Sequence, residues 1–95
     1  MNASTYRPAK FRLGRIAATA NALARLTQDD ILTAIRRHQS GDWGDLDEHD
    51  RNENELSLRE GFRLFSVYHA TCGDKFYVIT EASRDLTTLL MPEDY

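Results

Sequence analysis

The spacing of apolar residues predicts helices in the first two thirds of the chain. Isoleucine and leucine side chains recur at helical spacing after Thr27, a residue type common at N-caps, and Gly41 supplies a stop. Thr19 is a second N-cap residue and precedes a shorter apolar run. Asp50 and Glu53 have the spacing of a capping box. We therefore expect three helices, over residues 20–26, 28–39 and 51–60.

Shorter runs rich in β-branched and aromatic residues predict strands near the start and in the last third of the chain. The last three runs are separated only by the turn-forming segments TCGD and SRD, so they form an antiparallel meander. We expect four strands, over residues 11–18, 62–70, 75–82 and 86–91.

These elements predict the α+β class, with a small single domain over residues 10–95 after a flexible lead-in over residues 1–9. An antiparallel sheet of about four strands, the N-terminal strand plus the C-terminal three-stranded meander, packs against two or three helices. Both faces of the first meander strand carry apolar side chains. One face packs on the helices, and the other is a candidate homodimer surface unless the end of the chain covers it.

Composition narrows the class of protein. With 95 residues, 41% of them hydrophobic, the chain is long enough for one folded domain with a thin core. Cys72 is the only cysteine, which excludes an internal disulfide and a cysteine zinc site within one chain. No apolar run approaches the roughly 20 residues that span a bilayer, and the N-terminus lacks the apolar core of a signal peptide. We expect a cytoplasmic protein without membrane contact.

Charge is distributed unevenly along the chain. Residues 41–60 hold eight of the 15 carboxylates, whereas residues 1–40 contain seven basic and two acidic side chains. An acidic segment suits a basic protein partner, a metal ion or imitation of a phosphate backbone, while a pI near 5.5 does not favour nucleic acid as the partner. The candidate partner-binding residues are Asp42, Trp43, Asp45, Asp47 and Glu48.

Trp43 has two interpretations. It lies between two glycines in a polar segment, so its ring either holds the loop against the core or contacts a partner. The first is the commoner role of a large aromatic residue.

The acidic segment contains no EF-hand, because neither register that begins at Asp42 or Asp45 supplies the required oxygen ligands. A looser magnesium or manganese site from Asp45, Asp47 and either Asp50 or Glu53 stays open as the alternative to a solvated run of charge. We assign no catalytic residue, no metal ligand and no cofactor. His69, in a strand, is the candidate general base if the protein is an enzyme.

The segment HQSGDWGDL at residues 38–46, followed by ENEL, LREGFRLFSVY, FYVITEA and LLMPEDY, resembles a family of small uncharacterised proteins common on bacterial plasmids and other mobile DNA. Some members carry a label that relates them to a type I restriction-modification methyltransferase subunit, yet this chain has no Gly-rich cofactor loop and no room for a methyltransferase domain. The resemblance implies a bacterial cytosol and a gene that travels with mobile elements.

The function expected from these observations is a noncatalytic binding or accessory protein, in the manner of an acidic inhibitor or modulator of a nucleic-acid-acting host system. A small ribonuclease-like toxin or metal-dependent nuclease is one alternative. A DNA-binding regulator that uses the basic N-terminal half is the other, although the helices lack the spacing of a helix-turn-helix.

Overall fold

A four-stranded sheet organises the computed structural model, which describes residues 8–95. Its strand order is β1-β4-β3-β2. The strands are β1 (Arg15–Ala18), β2 (Leu64–His69), β3 (Lys75–Thr80) and β4 (Leu86–Leu90). The helices are α1 (Ala20–Arg25), α2 (Gln28–Gln39) and α3 (Glu48–Glu60), and a 3-10 turn over Pro92–Asp94 ends the fold. The predicted α+β domain with four strands and three helices is confirmed.

The sheet is mixed, whereas the sequence predicted an antiparallel one. The meander β2-β3-β4 is antiparallel as expected, but β1 pairs with β4 in parallel. Three helices separate β1 from β2, which lies at the far edge of the sheet. The meander then leads back across the sheet, so that β4 lies beside β1 and runs in the same direction. Of the predicted lead-in over residues 1–9, the first seven lie outside the described residues.

The predicted strand over residues 11–18 is too long at its N-terminal end. Gly14 adopts φ +67° and approaches the β3-β4 turn so closely that a Cβ would lie 2.3 Å from the carbonyl carbon of Asp85. The chain therefore bends at Gly14, and only the four residues after it pair with β4. Before the bend, Phe11 turns inward and packs against Trp43.

Helix α2 begins and ends as predicted, with a complete capping box between Thr27 and Asp30. The predicted start of α3 is wrong by three residues. Its N-cap is Asp47, whose side chain accepts a hydrogen bond from the backbone N–H of Asp50. Asp47 and Asp50 are three residues apart, as are Asp50 and Glu53, so the sequence offers two possible capping pairs. The first pair begins the helix.

The core lies between the sheet and the first two helices. Its buried side chains come from α1, α2 and the alternate strand positions that face them. They are Ala22, Leu26, Ala34, Tyr68, Ala70, Phe76, Val78, Leu89 and Met91. Within residues 8–95 no helix is long and apolar enough to cross a bilayer.

The chain after β4 folds over the opposite face of the sheet. The ring of Tyr95 lies 5.6 Å from that of Phe65 and 5.9 Å from that of Tyr77, edge to face in both pairs. Asp94 fixes this segment, because its carboxylate accepts hydrogen bonds from Thr19 at 2.6 Å and from Asn21 at 2.7 Å. The face expected to offer a homodimer surface is therefore partly covered by the end of the described chain.

The outer edge of β2 is also covered. The side-chain amide of Asn54 in α3 accepts from the backbone N–H of Phe65 at 3.0 Å and donates to its carbonyl at 2.7 Å. Two residues further, Val67 donates to the carbonyl of Trp43 and accepts from the N–H of Asp45. These contacts satisfy backbone groups that an open edge strand would present to another chain.

We predict that Asn54→Ala destabilises the protein by about 1–3 kcal/mol, because it removes a buried amide and leaves both backbone groups of the half-buried Phe65 without that partner. Asn52→Ala, on an exposed turn of the same helix, is the matched control and should change stability by under about 0.5 kcal/mol. Urea unfolding of both variants measures the difference. Equal stability of the two would contradict the role given to Asn54.

Candidate functional site

A buried polar chain runs beneath the segment HQSGDWGDL. The ring of His38, at 0% exposure, makes hydrogen bonds through Nδ1 to Ser66 Oγ at 2.5 Å and through Nε2 to Thr80 Oγ1 at 2.9 Å. Thr80 Oγ1 lies 2.7 Å from Thr87 Oγ1, which donates to the carbonyl of Leu13 at 2.8 Å. One imidazole thus connects the end of α2 with β2 and, through two hydroxyls, with β3, β4 and the segment before β1.

The protons of this chain can be assigned from its fixed end. A carbonyl only accepts, so Thr87 gives its proton to Leu13 and must accept from Thr80. The hydroxyl proton of Thr80 is thus directed at Thr87, and Thr80 accepts a hydrogen bond from His38 Nε2–H. Burial, with a smaller contribution from the positive charge of Arg84, lowers the pKa of His38 to about 3. The imidazole is therefore neutral at neutral pH, and its bare Nδ1 accepts from Ser66.

Trp43 packs directly against this chain, at 4% exposure. Its ring lies 5.8 Å from that of His38 and stacks on Phe11 at 6.2 Å, and its Nε1–H donates to Glu55 at 2.7 Å. Of the two interpretations of Trp43, the one in which it holds the loop against the core therefore matches its position.

Asp42 and Gly44 shape the loop around that indole. Both oxygens of Asp42 accept from the guanidinium of Arg37, at 2.8 and 3.2 Å, and this contact raises the pKa of Arg37. The backbone carbonyl of Asp42 accepts from the hydroxyl of Tyr68, whose pKa is raised by burial. Gly44 has φ +79°, and a Cβ there would lie 2.0 Å from the carbonyl oxygen of Val67. Trp43 is thus buried within the fold, whereas the carboxylate of Asp42, 32% exposed, is bonded to Arg37.

The other three candidate residues, Asp45, Asp47 and Glu48, are exposed. Asp47 also serves as the N-cap of α3, so one of its oxygens is already bonded to the helix. The structure therefore divides the five candidates into an inward pair and an outward group.

Two of these three residues, Asp45 and Asp47, border a groove of about 550 Å³ between α3 and the tail-covered face of the sheet, which we call the α3 groove, whereas Glu48 does not line it. Asp45, Asp47, Asp50 and Glu53 form its acidic wall. Its floor is apolar and aromatic, from Phe65, Val67 and Tyr77. Arg63 and Lys75 lie on the sheet side, and Leu46, Asn54 and Ser57 complete the lining.

The floor was not predicted as part of the site, although the sequence contained a usable signal. Phe65 and Val67 alternate on one face of β2, and Val67 pairs with Tyr77 across the β2-β3 ladder, which brings the three side chains to one surface. The sequence pattern did not show the position of α3. That position depends on Asn54, which holds the helix at the edge of the sheet through hydrogen bonds to the backbone.

Asp45, which lines the α3 groove, also belongs to a histidine–carboxylate pair. Nε2 of His69 lies 3.1 Å from Asp45 Oδ2, and its Nδ1 is 3.5 Å from the carbonyl of Gly73. The hydrogen bond to Asp45 raises the pKa of the exposed His69, and the Gly73 carbonyl acts in the same direction. His38 and His49, by contrast, lie apart, since one is buried under the sheet and the other is exposed on α3.

A second group of carboxylates meets at the start of α3. Oxygen and nitrogen atoms of Asp47, His49 and Asp50 lie within 4.8 Å of one another, and all three residues are exposed. Asp45 and Glu53, which the sequence offered as further metal ligands, are not members of this group. Exposed acidic groups meet in this way without a metal, and His49 is already paired with Asp50 at 3.3 Å.

No protein-family model, no curated protein and no solved structure matches this chain. The family resemblance of residues 38–46 and the blocks that follow them stays a prediction from the sequence.

The neutral His38 predicts a specific pH dependence of stability. Unfolded histidine takes up a proton near pH 6.5 and the buried ring only near pH 3, so the unfolded state binds more protons between these values. The free energy of unfolding should fall by up to about 1.4 kcal/mol for each pH unit below about 6. Urea unfolding between pH 7 and about 5.5 measures this slope while carboxylates, with ordinary pKa values of about 3.9–4.3, stay ionised.

His38→Gln should be less stable at pH 7 by about 1–3 kcal/mol and should lose this slope, whereas His49→Gln, at an exposed position, should keep it. His69 adds no slope well below pH 6.5, because the stability that its raised pKa provides is complete there, and above about pH 6.5 its slope has the opposite sign. The same slope in His38→Gln as in the natural sequence would contradict the assignment.

Proposed function

We propose that this protein is a noncatalytic binding protein whose α3 groove receives a basic segment of a protein partner. The observation that carries the proposal is an acidic wall that stands over an aromatic floor in one groove. In the bacterial setting implied by the sequence resemblance, such a protein would act as an inhibitor or modulator of a nucleic-acid-acting host system.

The acidic wall favours a positively charged partner. Asp50 and Glu53 lie on adjacent turns of α3, with Asp45 and Asp47 at the start of the same wall. Exposed carboxylates attract a basic surface at long range and accelerate encounter, and their effect weakens as salt is added. The same carboxylates would repel the phosphates of a nucleic acid.

The floor favours arginine or lysine over a simple cation. The long alkyl part of either side chain packs well on aromatic rings such as Phe65 and Tyr77, while the charged end reaches a carboxylate. Arginine adds a planar group that binds a carboxylate through two hydrogen bonds. Arg63 and Lys75, on the opposite side, suit an acidic side chain in the same segment.

An inhibitor of this type needs no reaction at the groove. A nucleic-acid-binding protein presents basic side chains to phosphates, and a partner that occupies them with carboxylates displaces the nucleic acid. The protein partner, the bacterial cytosol and the link to mobile DNA all belong to this proposal.

The test compares the natural protein with the triple variant Asp45→Asn, Asp47→Asn, Asp50→Asn. Asparagine is a good N-cap residue, so α3 should stay folded. Exposed ion pairs contribute about 0.2–1 kcal/mol each, so the loss of three should lower partner affinity by roughly three- to 150-fold and remove much of its salt dependence. Capture from a bacterial lysate, followed by titration of each captured protein, measures both.

A matched control removes the same charge elsewhere, at exposed positions outside the groove: Asp29→Asn, Asp74→Asn, Glu60→Gln. This variant should bind as the natural protein does. Full affinity in the groove variant, or equal loss in the control, would remove the groove from the proposal.

One observation favours a second candidate, a small ribonuclease-like activity. The pair of His69 and Asp45 has the arrangement of a general base held by a carboxylate, and Asp45 lines the groove. The acidic wall beside it would repel RNA. We expect no cleavage when labelled RNA and DNA are incubated with the protein and Mg²⁺ or Mn²⁺, and cleavage that disappears in His69→Ala would overturn the noncatalytic proposal.

The third expectation, a DNA-binding regulator, gains no support from α1 and α2. The first of these helices has six residues, and Arg37 of the second is bonded to Asp42. Arg7 lies outside the described residues.

A further inference from the structure

The two edges of the sheet differ in how far other parts of the described chain cover them. The β2 edge is covered by Asn54 and by the backbone of residues 43–45, as described above. The opposite edge is β1, and within residues 8–95 no element follows it in the sheet. All four β1 residues are exposed or only half-buried.

The pairing of β1 with β4 decides which backbone groups face outward. Arg15 N–H donates to the carbonyl of Asp85, and Thr19 N–H donates to the carbonyl of Leu89, so residues 15, 17 and 19 direct their backbone groups toward β4. The N–H and C=O groups of Ile16 and Ala18 therefore point away from the sheet. We call these four groups the β1 edge.

The side chains on this edge are apolar on the helix side. Ile16 is paired with Thr87, and Ala18 with Leu89. Thr87 and Leu89 are buried beneath the helices, so Ile16 and Ala18 lie on the core face of the sheet. Ile16 is nevertheless 47% exposed. A strand added beside β1 would cover it and extend the apolar layer of the sheet.

We propose that the β1 edge pairs with the β1 edge of a second copy, antiparallel about a two-fold axis, to form a continuous eight-stranded sheet. This inference is independent of the α3 groove, which lies at the opposite edge. It also differs from the homodimer expected through the sheet face, because that face is partly covered by Tyr95.

The strand is self-complementary in only one register. With the axis at Ala17, Ile16 faces Ala18 of the second copy, and the two symmetric pairs exchange four backbone hydrogen bonds. An axis at Ile16 would need Gly14, whose φ of +67° takes it out of the strand, and an axis at Ala18 would need Ala20, which begins α1. In the register at Ala17 the charged Arg15 faces Thr19, so no like charges oppose each other.

The register makes a covalent test possible. Ala17 would face Ala17 of the second copy as a non-hydrogen-bonded pair, with the two Cα atoms about 4.5 Å apart, within the range that a disulfide spans. We expect Ala17→Cys, in a Cys72→Ser background, to form an intermolecular disulfide under mild oxidation. Sedimentation of the natural protein at increasing concentration should show the same dimer without a crosslink.

Ala24→Cys in the same background is the control, since Ala24 is exposed on α1 and outside β1. Ala17→Cys should crosslink at least roughly tenfold faster, and addition of Ile16→Lys, which places a charge on the edge, should reduce its rate to that of the control. Circular dichroism checks that each variant is folded. Equal rates at the two positions, a monomer at millimolar concentration, or a dimer that Ile16→Lys leaves intact would overturn the proposal.

Discussion

A single neutral imidazole holds the parts of this fold together. His38 lies at the C-terminal end of α2, and the hydroxyls that it contacts belong to β2 and β3. Every member of the chain from Ser66 to the carbonyl of Leu13 has a defined donor and acceptor. Because a buried polar group without a partner costs about 1–3 kcal/mol, this chain is stable only when all its members are in place, and it fixes the register of α2 on the sheet.

The acidic segment acquires its shape from this buried chain. Trp43 packs on His38, and Gly44 allows the backbone to approach Val67, so residues 43–45 pair with the β2 edge. Asp47 then begins α3, and Asn54 aligns the helix along the same edge. The carboxylates of Asp45, Asp47, Asp50 and Glu53 consequently lie beside an aromatic floor, and part of the acidic segment forms one wall of a groove. Such preorganisation reduces the ordering entropy that binding would cost.

Much of the fold follows from local sequence, and the departures have physical causes. Capping residues and turns place all seven helices and strands in order, and α2 has the predicted bounds because Thr27 and Asp30 form a complete capping box. The parallel pairing of β1 depends on how the helical connection returns to the sheet, which apolar spacing does not encode. The early start of α3 reflects two competing caps, Asp47 and Asp50.

The candidate site was predicted only in part, because its residues are far apart in the sequence. The outward carboxylates Asp45, Asp47 and Glu48 were visible as a run of charge. The run of charge alone did not distinguish these three residues from Asp42, whose carboxylate is bonded to Arg37 in the preceding helix. Lys75 and Tyr77 follow the acidic wall by more than 20 residues in the sequence, and only strand pairing brings them to the groove.

The most direct test of this account is the protonation of His38, observed through the ¹⁵N resonances of its ring at neutral pH. We expect a bare Nδ1 and a protonated Nε2, unchanged as the pH is lowered to about 5, because burial lowers the pKa to about 3. A ring protonated at Nδ1, or one that becomes charged near pH 6, would contradict the hydrogen-bond chain on which the loop, α3 and the groove depend.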